Sequence, residues 1–261
     1  LAETRAQLGL DKPFLARYLH WLANALQGDL GSSYVDGKSV AEEMRRALPP
    51  TLLLAATAVL IIILCSVPTA LIAFSFEGRA PDILLRALIF FSGAVPAFWA
   101  GLLLIWLFAV HWDLLPLSGL EEATSLVLPA ITLALPYIAT YARLLRSSIL
   151  QTKQQNFVLY AKACGRSPQA ILRHVVRNSL QSSLTGLGMS LPKLLAGTFV
   201  VESIFAWPGL GRLCVTAIFN RDFPVIQAYI LLMAIFFTFF HACMEVCSAL
   251  ADPRLRDRRK T

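Results

Sequence analysis

Five apolar runs, each long enough to cross a bilayer, constrain this chain more than any other feature; they lie near 51–74, 84–110, 126–149, 180–205 and 225–250. A helical span needs about 20 mostly apolar residues to cover roughly 30 Å of hydrocarbon. Inside hydrocarbon every backbone N–H and C=O must find a protein partner, which leaves helices or closed barrels. These runs exceed a barrel strand in length and lack its alternation. The expectation is an all-α membrane protein with five transmembrane helices in this chain. Composition agrees. Only 15% of residues are charged, against about a quarter in soluble domains, too few to cover a water-facing surface.

The net charge of +7 could serve a nucleic acid, but its placement argues for a membrane and no nucleic acid. Residues 142–178 carry seven Lys and Arg and no acid, and the tail 251–261 adds Arg254, Arg256, Arg258, Arg259 and Lys260. The loop 111–125 has Asp113, Glu121 and Glu122 and no Lys or Arg. Cations mark the cytoplasmic side. Residues 1–50 and the segment 207–224 are then extracytoplasmic, residues 51–250 form the transmembrane domain, and the insert and the basic tail are cytoplasmic. Exporting a polar region of roughly 50 residues calls for one more upstream helix, so six spans are expected in the intact protein.

Within 1–50, Asp11 before Lys12-Pro13 reads as a helix start. Phe14, Tyr18, Trp21, Leu22 and Ala25 follow at helical spacing, as in an amphipathic helix on the outer surface or on a partner. Pro68, Pro96, Pro129, Pro136 and Pro192 interrupt the spans, where proline removes a backbone bond and kinks the helix. The five cysteines are scattered and read as small buried apolar residues, not a disulfide framework.

The cationic insert, 150–178, divides into two helices. Residues 154–164 put Phe157, Tyr160, Ala161 and Cys164 on one face. Gly165 ends the helix, and Ser167-Pro168 starts a second with Ile171, Leu172, Val175 and Val176 as its apolar face. Lys162, Arg166, Arg173 and Arg177 stud the polar surface. Pattern alone leaves two readings open: a basic hairpin on anionic lipid, or a knob seated in a cytoplasmic protein.

A-K-A-C-G followed by R-H-V-V-R-N resembles the coupling loop of ABC importer permeases, in the dipeptide, oligopeptide and nickel branch. Ala161 and Gly165 match that loop, as do His174, Arg177 and Asn178; Leu159 and Tyr160 stand where other branches have Glu-Ala. L-G-L-D-K-P, G-D-L-G-S-S, V-P-A-F-W, A-R-L-L-R-S-S, F-A-W-P-G-L-G-R, N-R-D-F-P-V-I-Q and L-A-D-P-R follow in order across nearly the whole chain. The resemblance implies a type I-like permease in a bacterial cytoplasmic (inner) membrane. Ala161, Lys162, Gly165, Arg166, His174, Arg177 and Asn178 would then dock on an ATPase. It further implies two ATP-binding subunits using ATP and Mg, a second homologous permease and an extracytoplasmic substrate-binding protein. This chain has no G-x-x-x-x-G-K-[ST], so it is expected to bind no cofactor and to be no enzyme.

The resemblance is nearest to nickel permeases, which implies import of nickel as an ion or a chelate. Di- or oligopeptide import is the alternative, and a secondary transporter a more distant one. His241, Met244 and Cys247 offer donors suited to nickel, copper or zinc, against ordinary helix packing. Lys193, Glu202 and Glu245 are candidate path or gate residues. A mid-span lysine avoids lipid, so Lys193 is expected in the bundle interior or the aqueous path.

Overall fold

The computed structural model describes residues 13–116 and 123–251, and every apolar run within them is helical. Asp11, Glu121, Glu122 and the cations of the tail lie outside the described residues. The helices are α1 (Phe14–Leu26), α2 (Val40–Ser75), α3 (Ala80–Ala94), α4 (Ala97–Leu104, continued by a π-helical turn Ile105–His111), α5 (Val127–Lys153), α6 (Asn156–Ala163), α7 (Pro168–Ile204), α8 (Leu210–Phe219) and α9 (Phe223–Ala251). Among the described residues, strand pairing is confined to the isolated bridge Ser32–Ser39.

Four helices are long and apolar enough to span on their own, and the pair α3–α4 makes a fifth crossing only as a bent unit. This corrects the single helix expected over 84–110: the two halves meet at 102°. Pro96 explains the break. It lacks an N–H to continue the ladder and pushes Val95 out of the helical region, to φ −78 and ψ 126. The broken pair still travels the length of α5. Asp82, at the start of α3, meets Arg146 late in α5, and Gly101 in α4 lies against Thr132 early in α5.

The helix that carries the first span begins before the apolar run. Helix α2 starts at Val40, not near 51, and runs through Pro49 and Pro50. Packing outweighs the proline signal here. Val40, Met44 and Ala47 recur on one face and are buried against Leu210, Ala217, Val225 and Ala228. The carbonyls that lose their donors belong to Arg45 and Arg46, both exposed.

Helix α5 is the hub, packed against α2, α3, α4 and α7. Small residues make the approach close. A Cβ on Gly101 would sit 3.1 Å from Thr132 Cγ2, and one on Gly93 would sit 3.3 Å from Ala139 Cβ. Tyr141 Oη lies 2.6 Å from Ser190 Oγ and 3.0 Å from the Gly186 carbonyl, tying α5 to α7.

Candidate functional site

The turn at Gly165 is built by a specific hydrogen-bond pattern. The Gly165 N–H donates to the Lys162 carbonyl at 3.0 Å, and the Arg166 N–H donates to the Ala161 carbonyl at 3.1 Å. That pair is a Schellman motif, which requires a left-handed residue just past the helix end. Gly165 supplies it, with φ +72. Ser167 then caps the next helix, its hydroxyl accepting from the Ala170 N–H at 3.4 Å, with Pro168 as first residue.

The second helix of the insert continues into the span: α7 is one helix of 37 residues from Pro168 to Ile204, so the turn is joined rigidly to the membrane segment. The first helix is shorter than 154–164 and uses another face. Val158 is its buried anchor, in a cluster with Ala70, Leu145, Ile149 and Val175. Tyr160 is 72% exposed and Phe157 36% exposed, so those apolar side chains point away from the bundle. An eight-residue helix carries too little periodicity to identify Val158 from sequence. Lys162, Arg166, His174, Arg177 and Asn178 are all exposed on the same end of the molecule.

Sequence reasoning missed the ion pair that steadies this end. Asp82 is fully buried; its Oδ2 accepts from Arg146 Nη2 at 2.9 Å and from the Gly78 N–H at 3.1 Å, with Arg86 at 3.4 Å. Lys153 pairs with Glu77 at 3.4 Å and lies over the Phe74 ring. The α2–α3 turn is thus pinned to the end of α5, next to α6. An aspartate abutting an apolar run, with an arginine in another, was the available signal.

Lys193 is exposed midway along the apolar part of α7, between the buried Pro192 and Leu194. It is therefore not in the interior of this chain's bundle, which corrects half of the expectation; its side chain lies on an exposed face of α7.

Glu202 is not on that face. It is fully buried, with Oε1 accepting from Thr51 Oγ1 at 2.7 Å and Oε2 accepting from the Arg212 N–H at 3.0 Å. Thr51 Oγ1 also accepts from the Leu210 N–H at 2.8 Å. These bonds satisfy the free N–H groups at the start of α8 and set a carboxylate against the positive end of its dipole. The glycines of W-P-G-L-G-R follow from this packing. A Cβ at Gly209 would fall 2.4 Å from Glu202 Cδ, and one at Gly211 would fall 2.4 Å from Phe199 Cα.

The soft-ligand set in α9 does not assemble. The Met244 thioether fills the groove over Gly188, where a Cβ would fall 2.1 Å from its Cε. His241 stacks on Phe237 and stands 4.0 Å from Glu245. Cys247 is exposed, and six residues of helix, at about 100° each, turn it away from His241. Among the described residues no cluster of three His, Cys, Asp or Glu could hold a metal ion.

Residues 62–257 match the family described as binding-protein-dependent transport system inner membrane component. The chain is 37% identical over 257 residues to the metal-staphylopine import system permease protein CntB of Staphylococcus aureus, covering 98% of this chain and 83% of that protein. It is 36% identical over 253 residues to the glutathione transport system permease protein GsiC of Escherichia coli K12, covering 97% and 83%. In fold it is similar to an amino acid ABC transporter (TM-score 0.65, 17% identity, 79% of this chain and 93% of that one). The inward-facing MetNI methionine ABC transporter gives a TM-score of 0.63 at 16% identity, over 80% and 96%.

Proposed function

This chain belongs to the family of binding-protein-dependent transport system inner membrane components, and on that premise we propose that it moves a metal held in an organic, carboxylate-bearing chelate. It is a permease subunit of an ABC importer in the bacterial inner membrane. The observation that carries the substrate reading is Lys193. A cation exposed at mid-depth on the free face of α7 repels a bare divalent ion and attracts an anionic chelate. Glu202 cannot offset it, being buried and bonded to the start of α8. The 37% identity to a permease named for metal-staphylopine import supports the same class of cargo.

Nickel in chelated form is the specific cargo put forward. A second reading, import of a small peptide, is favoured by the same lysine, which would receive a terminal carboxylate, and by the similarity to the glutathione permease.

The working complex in this reading has two ATP-binding subunits, which use ATP and Mg, a second homologous permease against the free face of α7, and an extracytoplasmic binding protein. The Gly165 turn is the docking point, and α7 carries its motion past Lys193 to the latch at Glu202. The test is uptake by the complete transporter in proteoliposomes with its binding protein. Radioactive nickel with excess citrate, which forms an anionic chelate, should enter and nickel alone should not. Uptake of free nickel alone would overturn the reading, and competition by an unmetallated tripeptide would favour the second.

A further inference from the structure

Of the twelve glycines among the described residues, eleven have a reason inside this chain. Five take a positive φ, as Gly165 does, and six stand where a Cβ would come within 3.4 Å of a neighbouring atom. Gly197 has neither reason. It lies in the apolar part of α7 with helical backbone, and a Cβ there would meet nothing within 4 Å. Glycine is the poorest helix former after proline, so neither the helix nor its packing in this chain calls for one. What calls for it lies outside the chain.

Lys193 narrows the choice. It precedes Gly197 by four residues, about 6 Å along the axis, and at about 100° per residue the two lie about 40° apart around α7. A second helix packed closely on Gly197 would lie over Lys193, which is exposed and has no ion-pair partner among the described residues. Lipid over the same spot would strand that charge as well. Water and a carboxylate-bearing cargo would not. Phe199, 44% exposed, lies about 120° round from Lys193, so an apolar partner can cover it and leave the lysine and the glycine open.

Resting on the reading of Lys193 as a path residue, we propose that Gly197 is the size filter for the same carboxylate-bearing cargo. It stands one turn nearer the extracytoplasmic end of α7, so cargo on its way in passes Gly197 before it reaches Lys193. The lysine selects by charge, and the absent side chain leaves room for the body of the chelate beside it.

The complete transporter in proteoliposomes is examined with two variants. The thiol of Gly197→Cys should react with an anionic, water-soluble methanethiosulfonate well above the wild-type background, because a thiol sealed in lipid or against another helix stays protonated and unreactive. Gly197→Leu should keep its second permease and its ATPases, since its Cβ meets no atom of this chain. It should take up nickel citrate at least about tenfold more slowly, as for a misfitting group in a fitted site, with Gly197→Ala in between. The proposal is overturned if the thiol stays at background or if Gly197→Leu transports like the wild type. It is equally overturned if Gly197→Leu loses the second permease, since the glycine would then serve helix packing. A wild type that takes up no nickel citrate would contradict the chelate reading alone, and the same variants are then read with a tripeptide as cargo.

Discussion

Thr51 donates its hydroxyl hydrogen to Glu202 Oε1 at 2.7 Å and accepts from the Leu210 N–H at 2.8 Å, so one small side chain joins α2, α7 and the start of α8. Removing either partner strands buried polar groups, which costs about 1–3 kcal/mol each. Thr51→Val and Glu202→Gln should each lower the thermal midpoint of the purified transporter. Because they share one network, the double variant should lose less than the sum. Gly209→Ala should do comparable damage, since its Cβ would meet the rigidly held carboxylate. Strict additivity of the first two would show that the network is not a unit.

The Asp82–Arg146 pair should behave as a buried charge pair. Arg146→Met leaves Asp82 buried with the Gly78 N–H at 3.1 Å and the exposed Arg86 at 3.4 Å. It should be destabilising by about 3–5 kcal/mol, less whatever Arg86 restores. Asp82→Leu combined with Arg146→Met should recover most of that, because an apolar pair removes the uncompensated charge. Thermal unfolding of the three variants in detergent is the check. A double variant as unstable as the single one would mean that the charges themselves are required.

How much of this was legible in the sequence depended on the range of the interaction. The helix ends at Gly165 and Ser167 are decided by neighbours within three or four residues, and the structure places them as expected. The length of the apolar runs likewise dictated helices. What escaped was long-range. The hydrogen bond that buries Glu202 against Thr51 spans 151 positions. Asp82 and Arg146 are 64 positions apart. The helix of the first span reaches back beyond the apolar run, to Val40, because of burial supplied by α8 and α9. Pro96 was seen as a kink, but its 102° bend was not. The free face of α7 exists only by virtue of what packs on the other side.

His241→Asn should leave nickel-chelate uptake unchanged. Its imidazole stacks on Phe237 and its nearest charged partner is Glu245 at 4.0 Å, with the Met244 sulfur committed to the contact with α7. A clear loss of uptake with normal membrane levels would restore the metal-ligand role that the geometry removes.

Lys193→Glu should reduce chelate uptake more than tenfold. A charge at roughly 8 Å in an effective dielectric of about 20 contributes about 2 kcal/mol, and about 1.4 kcal/mol is a factor of ten. Lys193→Arg should retain most of the activity because the charge survives. Uptake measured across substrate concentrations is the check, and indifference to the sign of this charge would remove Lys193 from the path.

In the proposed function the turn at Gly165 passes motion from docked ATPases into α7. Its φ of +72 faces open space, so a substitution there is resisted by backbone conformation and not by crowding. A left-handed L-residue costs roughly 1–2 kcal/mol, and a β-branched one is a genuine outlier. Asparagine tolerates the region. The decisive measurement is chelate uptake per ATP hydrolysed by the complete transporter carrying Gly165→Val or Gly165→Asn. Gly165→Val should reach the membrane at normal levels and lose transport, with its ATPases uncoupled or undocked, while Gly165→Asn keeps most of both. If Gly165→Val transports like the wild type with its ATPases bound, the turn is not the coupling element.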